Sequence, residues 1–139
     1  MTEFATAAYV VAASAYAGFQ WLVHLVVYRS YNLVPPDAFP AFERAHMRRI
    51  SPLVVVLFGS LVIATVALFV AGRGDVGIAA AVLLAMLLGL TLFGAVPAHR
   101  RLVQRYDEQV LRRLLRIDAA RAGIATLQLA LAVALVSTQ

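Results

Sequence analysis

Residues 4–28 read FATAAYVVAASAYAGFQWLVHLVVY, without one Asp, Glu, Lys or Arg. At about 1.5 Å per helical residue, roughly 20 apolar residues cross the hydrocarbon of a bilayer, so this run spans it with room for tilt. Three further runs follow: 53–71, rich in Val and Leu, 76–98, and 119–136, with Arg121 just inside its start. Between the second and third, Gly72-Arg73-Gly74-Asp75 is a tight polar turn. Backbone groups in hydrocarbon must be satisfied within the spanning structure, and these runs are far too long for barrel strands. The expected fold is all-α: one integral membrane domain, residues 1–139, forming a four-transmembrane-helix bundle with amphipathic interfacial helices.

Composition agrees. The chain is 63% hydrophobic and 14% charged, with a mean hydropathy of +0.85. Soluble domains hold about 45–50% apolar and about 25% charged residues. The MTEF start has no basic n-region and the first run is too long for a signal h-region, so it reads as a retained span. The lack of cysteine excludes disulfides, thiolate nucleophiles, iron–sulfur clusters and sulfur-rich zinc sites.

All 12 basic residues are arginine and the net charge is +5. The excess lies in short segments beside the spans, which points to orientation and anionic headgroups and not to nucleic acid. Arg29, Arg44, Arg48 and Arg49 separate spans one and two; Arg100, Arg101, Arg105, Arg112, Arg113 and Arg116 separate spans three and four. Arg73, offset by Asp75, is alone in the remaining turn. The positive-inside rule predicts a multi-pass cell-membrane protein with both Arg-rich connections cytoplasmic and both termini outside.

Those connections carry structure of their own. Asn32-Leu33-Val34-Pro35-Pro36 breaks the chain, and Asp37 is the expected N-cap of a helix running from about Ala38 through Glu43, His46 and Arg49 into span two, kinked at Pro52. RRLVQRYDEQVLRRLLRIDAAR, residues 100–121, has the apolar spacing of an amphipathic helix, either lying in the headgroups or docking a partner. Gly18, Gly59, Gly89 and Gly94 are expected to let helices pack closely.

The three histidines, His24, His46 and His99, all fall at the Arg-rich end, within a layer of about 10–15 Å. Glu43 and His46 are spaced i, i+3, as ligands are in metal-binding bundles. Tyr28, Tyr31, Tyr106 and Asp107 lie near the histidines in sequence. The candidate metal ligands are His24, His46, His99 and Glu43, with iron, copper or zinc as the suited ions. A b-type haem between His24 and His99 is the lesser alternative. Each histidine also has a purely structural reading: His24 bonded to a backbone carbonyl or a Ser or Gln on a neighbouring helix, and His46 and His99 as ordinary interfacial residues among arginines. Asp118 and Arg121, spaced i, i+3, are expected to pair with each other.

Three stretches together carry a family resemblance: WLVHLVVYRSY at the end of span one, FPAFERAHMRRIS before span two, and VPAHRRLVQRYDEQVLRRLLRIDAAR leading into span four. In order, they resemble the small four-helix membrane proteins of the anthrone-oxygenase-like family. The resemblance nominates His24, Tyr28, Glu43, His46, Arg49, Pro97, His99, Asp107 and Arg121 as site residues. It implies oxidative tailoring of a small, lipophilic, often aromatic molecule, commonly in secondary metabolism. The chain departs from the family pattern in having Tyr28-Arg29 in place of Tyr-Pro, no carboxylate inside span two, and Asp118-Ala119-Ala120 in place of an Asn-Trp pair.

Two functions compete. One is a membrane enzyme in which His24, Tyr28, Glu43, Arg49, Asp107 and Arg121 act on a lipophilic substrate, the arginines neutralising a developing phenolate or carboxylate. The other is a non-catalytic membrane subunit, a partner or stabiliser of a larger complex, that docks through its Arg-rich amphipathic helix. The expected partners are the lipid bilayer and a small lipophilic substrate, with a homo-oligomer also open. A transporter fits less well, because the spans lack a chain of acids and show no repeat. No phosphate loop, nucleophile elbow or dinucleotide fingerprint is present.

Overall fold

The computed structural model describes residues 1–137, which are helical apart from short connections. Four helices are long and apolar enough to cross a membrane: α1 (Thr2–Leu33), α2 (Phe39–Val70), α3 (Gly74–Gln104) and α4 (Glu108–Ser137). At 30–32 residues, each is about 45 Å long, against about 30 Å of bilayer hydrocarbon, so each overhangs. α1 packs on α2 and α4, and α3 packs on the same two, so the helices form a four-membered ring with short connections.

Small residues set the packing. Ala5, Ala12, Ala13, Ala17, Ala64, Ala80, Ala125 and Ala132 are buried in the main core with Tyr9, Tyr16, Leu61, Leu68 and Leu87. The large apolar side chains Val55, Ile63, Val70, Phe93 and Leu127 face outward. In water such a belt would drive aggregation; against lipid tails it costs nothing. A second, aromatic-rich core at the Arg-rich end gathers Tyr28, Tyr31, Phe39, Leu102, Leu111 and Leu114.

Several local expectations change. α2 is capped at Ala38 and not at Asp37, although it has Pro40 in its first turn and runs through Pro52 into the spanning segment as expected. Pro52 removes one backbone donor without ending the helix. Residues 100–118 are not one amphipathic helix. α3 ends at Gln104, and Arg105 turns extended before α4 begins. Of the glycines expected at close contacts, only Gly94 is crowded: a Cβ there would sit 2.9 Å from Ile117 Cδ1, whereas Gly18, Gly59 and Gly89 have nothing within 4 Å. The Gly72 turn closes α2 as a Schellman motif, with Gly72 at φ 77°, Arg73 N–H bonded to Leu68 O and Gly72 N–H to Phe69 O.

Two π-turns place the site. Val23–Val27 is closed by the Tyr28 N–H on Val23 O, and Leu90–Ala95 by the Val96 N–H on Thr91 O. The second has a sequence cause in Pro97, which has no N–H to return to Phe93. Each inserted residue rotates the remainder of its helix by about 100°, re-aiming Tyr28 on α1 and His99 on α3.

Candidate functional site

α3 packs on α2 through Gly74–Gly89 and again through Val96–Gln104, but hardly at the π-turn between them. The gap is a cavity of about 390 Å³, within the range of small-molecule sites. Val23, Ile50, Val54, Phe58, Leu88 and Val96 give it apolar walls. Tyr28, His46, His99 and Arg121 supply its main polar groups. Ser51, Val55 and Leu92 line it and are also exposed, so it opens sideways between α2 and α3 onto the face that lipid would cover.

Two polar networks border this cavity. In the first, Glu43, fully buried on α2, bonds His99 Nδ1 through Oε1. His99 Nε2 lies 3.1 Å from the Tyr28 hydroxyl. With Glu43 ionised, Nδ1–H donates to the carboxylate and Nε2 accepts from Tyr28. His46 stacks on His99 at 6.0 Å between ring centroids and meets Tyr31 edge-on at 5.6 Å. Its Nε2 is buried without a hydrogen-bond partner.

The second network runs between α1 and α4. Arg121 Nη2 donates to the Tyr16 hydroxyl at 3.4 Å. That hydroxyl donates to Gln20 Oε1 at 3.4 Å, and Gln20 Nε2 donates to Asp118 Oδ1 at 2.6 Å. His24 Nδ1 closes the chain on Asp118 Oδ2 at 2.8 Å. Asp118 and Gln20 are completely buried, whereas His24 is 30% exposed, edge-on to Trp21.

The structure therefore divides the predicted site residues. Tyr28, Glu43, His46 and His99 come together, and Arg121 joins them at the cavity wall. His24 does not; it is held by Asp118, which takes His24 and Gln20 as partners in place of the expected ion pair with Arg121. Arg49 is exposed and does not line the cavity.

Asp107 is a capping residue. Its Oδ1 accepts from the N–H groups of Gln109 and Val110, at 2.9 and 3.1 Å, satisfying orphan donors at the start of α4. Asp107→Ala is expected to cost about 1 kcal/mol of stability, and Asp107→Ser to recover most of it. Equilibrium unfolding in detergent checks this; an unchanged midpoint in the alanine variant would remove the capping role.

The donor set does not fit the expected metal centre. Among the described residues no three His, Cys, Asp or Glu side chains gather as a metal-holding group. Both His99 nitrogens are engaged within the protein, and His24 belongs to the other network, so neither a three-histidine site nor a His24–His99 haem pair assembles. Tyr16, Gln20 and Asp118, which stand behind Arg121 and do not themselves line the cavity, are residues that the sequence reading does not nominate for the site. Their signal is a polar stripe at four-residue spacing on α1, Tyr16, Gln20, His24 and Tyr28, inside a run otherwise made of Ala, Val and Leu. No protein-family model, curated protein or solved structure matches the chain.

Proposed function

We propose that this protein is a membrane-embedded enzyme that carries out oxidative tailoring of a small, lipophilic, often aromatic molecule, starting with proton abstraction by a Glu43–His99–Tyr28 relay. The supporting observation is that relay's end point: a buried carboxylate orients an imidazole, the imidazole meets a tyrosine hydroxyl, and that tyrosine lines an apolar cavity. Carboxylate, base and hydroxyl stand in the order in which acid–base sites activate a hydroxyl group.

A free tyrosine, with an ordinary pKa near 10, is too weakly acidic to be a base at neutral pH. Coupled to His99 it acts as one. Its oxygen takes the substrate proton while its own proton passes to Nε2, and Glu43 stabilises the resulting imidazolium. Dioxygen is the co-substrate: it takes up the carbanion's electron pair in one-electron steps to form a C–O bond, the imidazolium returns its proton through Tyr28 to give the substrate hydroperoxide, and loss of water from that hydroperoxide leaves the carbonyl product and the relay as it began. Such chemistry suits a dry cavity, where the imidazolium–carboxylate pair is poorly screened. The Arg-rich end, which carries the relay, faces the cytoplasm in this reading and both termini lie outside. The likeness of the three sequence stretches to the anthrone-oxygenase-like family supports the same chemistry.

The docking reading is less well supported. Leu111 and Leu114, on the apolar face of the Arg-rich segment, are buried in this chain's own core, which leaves mainly arginines outside.

The test uses purified protein in lipid nanodiscs with anthrone and related carbon acids. Oxygen uptake is measured in air, and solvent deuterium entry at the acidic C–H is measured without oxygen. Wild-type protein is expected to catalyse both. Tyr28→Phe and His99→Gln are expected to lose about 100-fold or more in rate, and His24→Ala to keep most of it. Catalysis undiminished in Tyr28→Phe, or absent from wild type across the panel, would refute the proposal.

A further inference from the structure

Arg121 is only 5% exposed and lines the cavity. Among the described residues its one hydrogen bond is long, the 3.4 Å contact of Nη2 with Tyr16, and its buried Nε has no partner. The nearest acid in sequence, Asp118, bonds Gln20 and His24, and among the described residues no carboxylate lies within ion-pairing distance of the guanidinium. A guanidinium cannot shed its charge as a buried lysine can, so it stays a cation in an apolar wall. Such a group calls for an anion from elsewhere, and its planar fork matches a carboxylate with two parallel bonds.

We infer that Arg121 is the anion-binding residue of the cavity, and that the ligand is a lipophilic carboxylic acid bound as its carboxylate. Among the described residues that line the cavity Arg121 is the one permanent cation, and with the buried carboxylates of Asp118 and Glu43 nearby a phosphate dianion would be repelled more strongly than a monoanion. The walls support an apolar body, because around this one charge they offer Val23, Val54, Phe58 and Leu88. The lateral opening between α2 and α3 admits such a molecule tail and all. The inference rests on the cavity being the substrate site of the proposed enzyme; it requires no chemistry at Tyr28.

Calorimetric titration of the protein in detergent, against protein-free micelles, tests it with three probes: 2-naphthoate, its neutral methyl ester and 2-naphthalenemethanol. Wild type is expected to bind the acid at least tenfold more tightly than either neutral analogue. Arg121→Gln should bring that ratio to about one, Arg121→Lys should keep part of it, and Tyr28→Phe should keep all of it. If the glutamine variant does not fold, the wild-type ratio decides alone. Equal binding of acid and ester, no saturable binding of the acid, or discrimination that survives in Arg121→Gln overturns the inference. Anion preference in a wild-type protein that catalyses no proton abstraction would support the inference and sink the proposed catalysis; wild-type proton abstraction that is lost in Tyr28→Phe, with acid and ester bound equally, would do the opposite.

Discussion

Glu43→Ala and His99→Ala are each expected to cost about 3–5 kcal/mol of stability, and the double replacement scarcely more than either alone. Glu43 is wholly buried and His99 nearly so, and they bond directly across the interface of α2 and α3. Removing one partner strands the other in a low-dielectric interior, where an uncompensated carboxylate is severely penalised. Removing both leaves a cavity but no stranded charge. The double-mutant cycle, read by reversible unfolding in mixed detergent micelles, should therefore show strong coupling. Simple additivity would mean that the two groups do not interact in the folded protein, and the relay would fall with them.

The second large effect is an asymmetry. Asp118→Ala is expected to cost about 3 kcal/mol, whereas His24→Ala should cost only about 1 kcal/mol. Asp118 is fully buried and receives two hydrogen bonds, so its loss leaves the buried Gln20 amide without its acceptor. His24 is 30% exposed, and when it is removed Asp118 keeps Gln20. Comparing unfolding midpoints of the two variants with wild type decides it. Equal costs, or a costlier histidine change, would contradict this arrangement and favour His24 as the organising residue.

The bundle is legible in the sequence because its signal is simple. A strongly apolar run about as long as the bilayer hydrocarbon is thick admits almost no other solution, and four such runs with arginines clustered at alternate connections leave little freedom in connectivity. The site is legible in part. Tyr28, Glu43, His46 and His99 assemble, because residues at the same depth on neighbouring short-looped helices are brought within reach of one another. Depth alone says nothing of which way a side chain points. His24 fits the layer, but on α1 it turns toward α4, and the π-turn that contains it sends Tyr28 toward α3 instead. A one-residue insertion in hydrogen bonding leaves no mark in composition, and only Pro97 hints at its counterpart in α3.

The break at Arg105–Asp107 is hidden for a related reason. The apolar spacing of residues 100–118 is helical on both sides of it. Asp107 stands among the candidate site residues by its nearness to His99, although an Asp preceding Glu108 and an apolar series is equally a helix start. Spacing matches Asp118 to Arg121, yet a better donor pair stands across the interface on α1.

In the proposed membrane enzyme, the sideways mouth between α2 and α3 changes what dose means. A molecule that arrives through it is drawn from the leaflet, so occupancy follows its mole fraction among the lipids and not its molarity in the buffer. Diluting the proteoliposomes with water would leave saturation almost untouched, while adding empty vesicles at fixed total compound would lower it. Compounds that differ little in fit would then rank by how strongly they dissolve in the membrane.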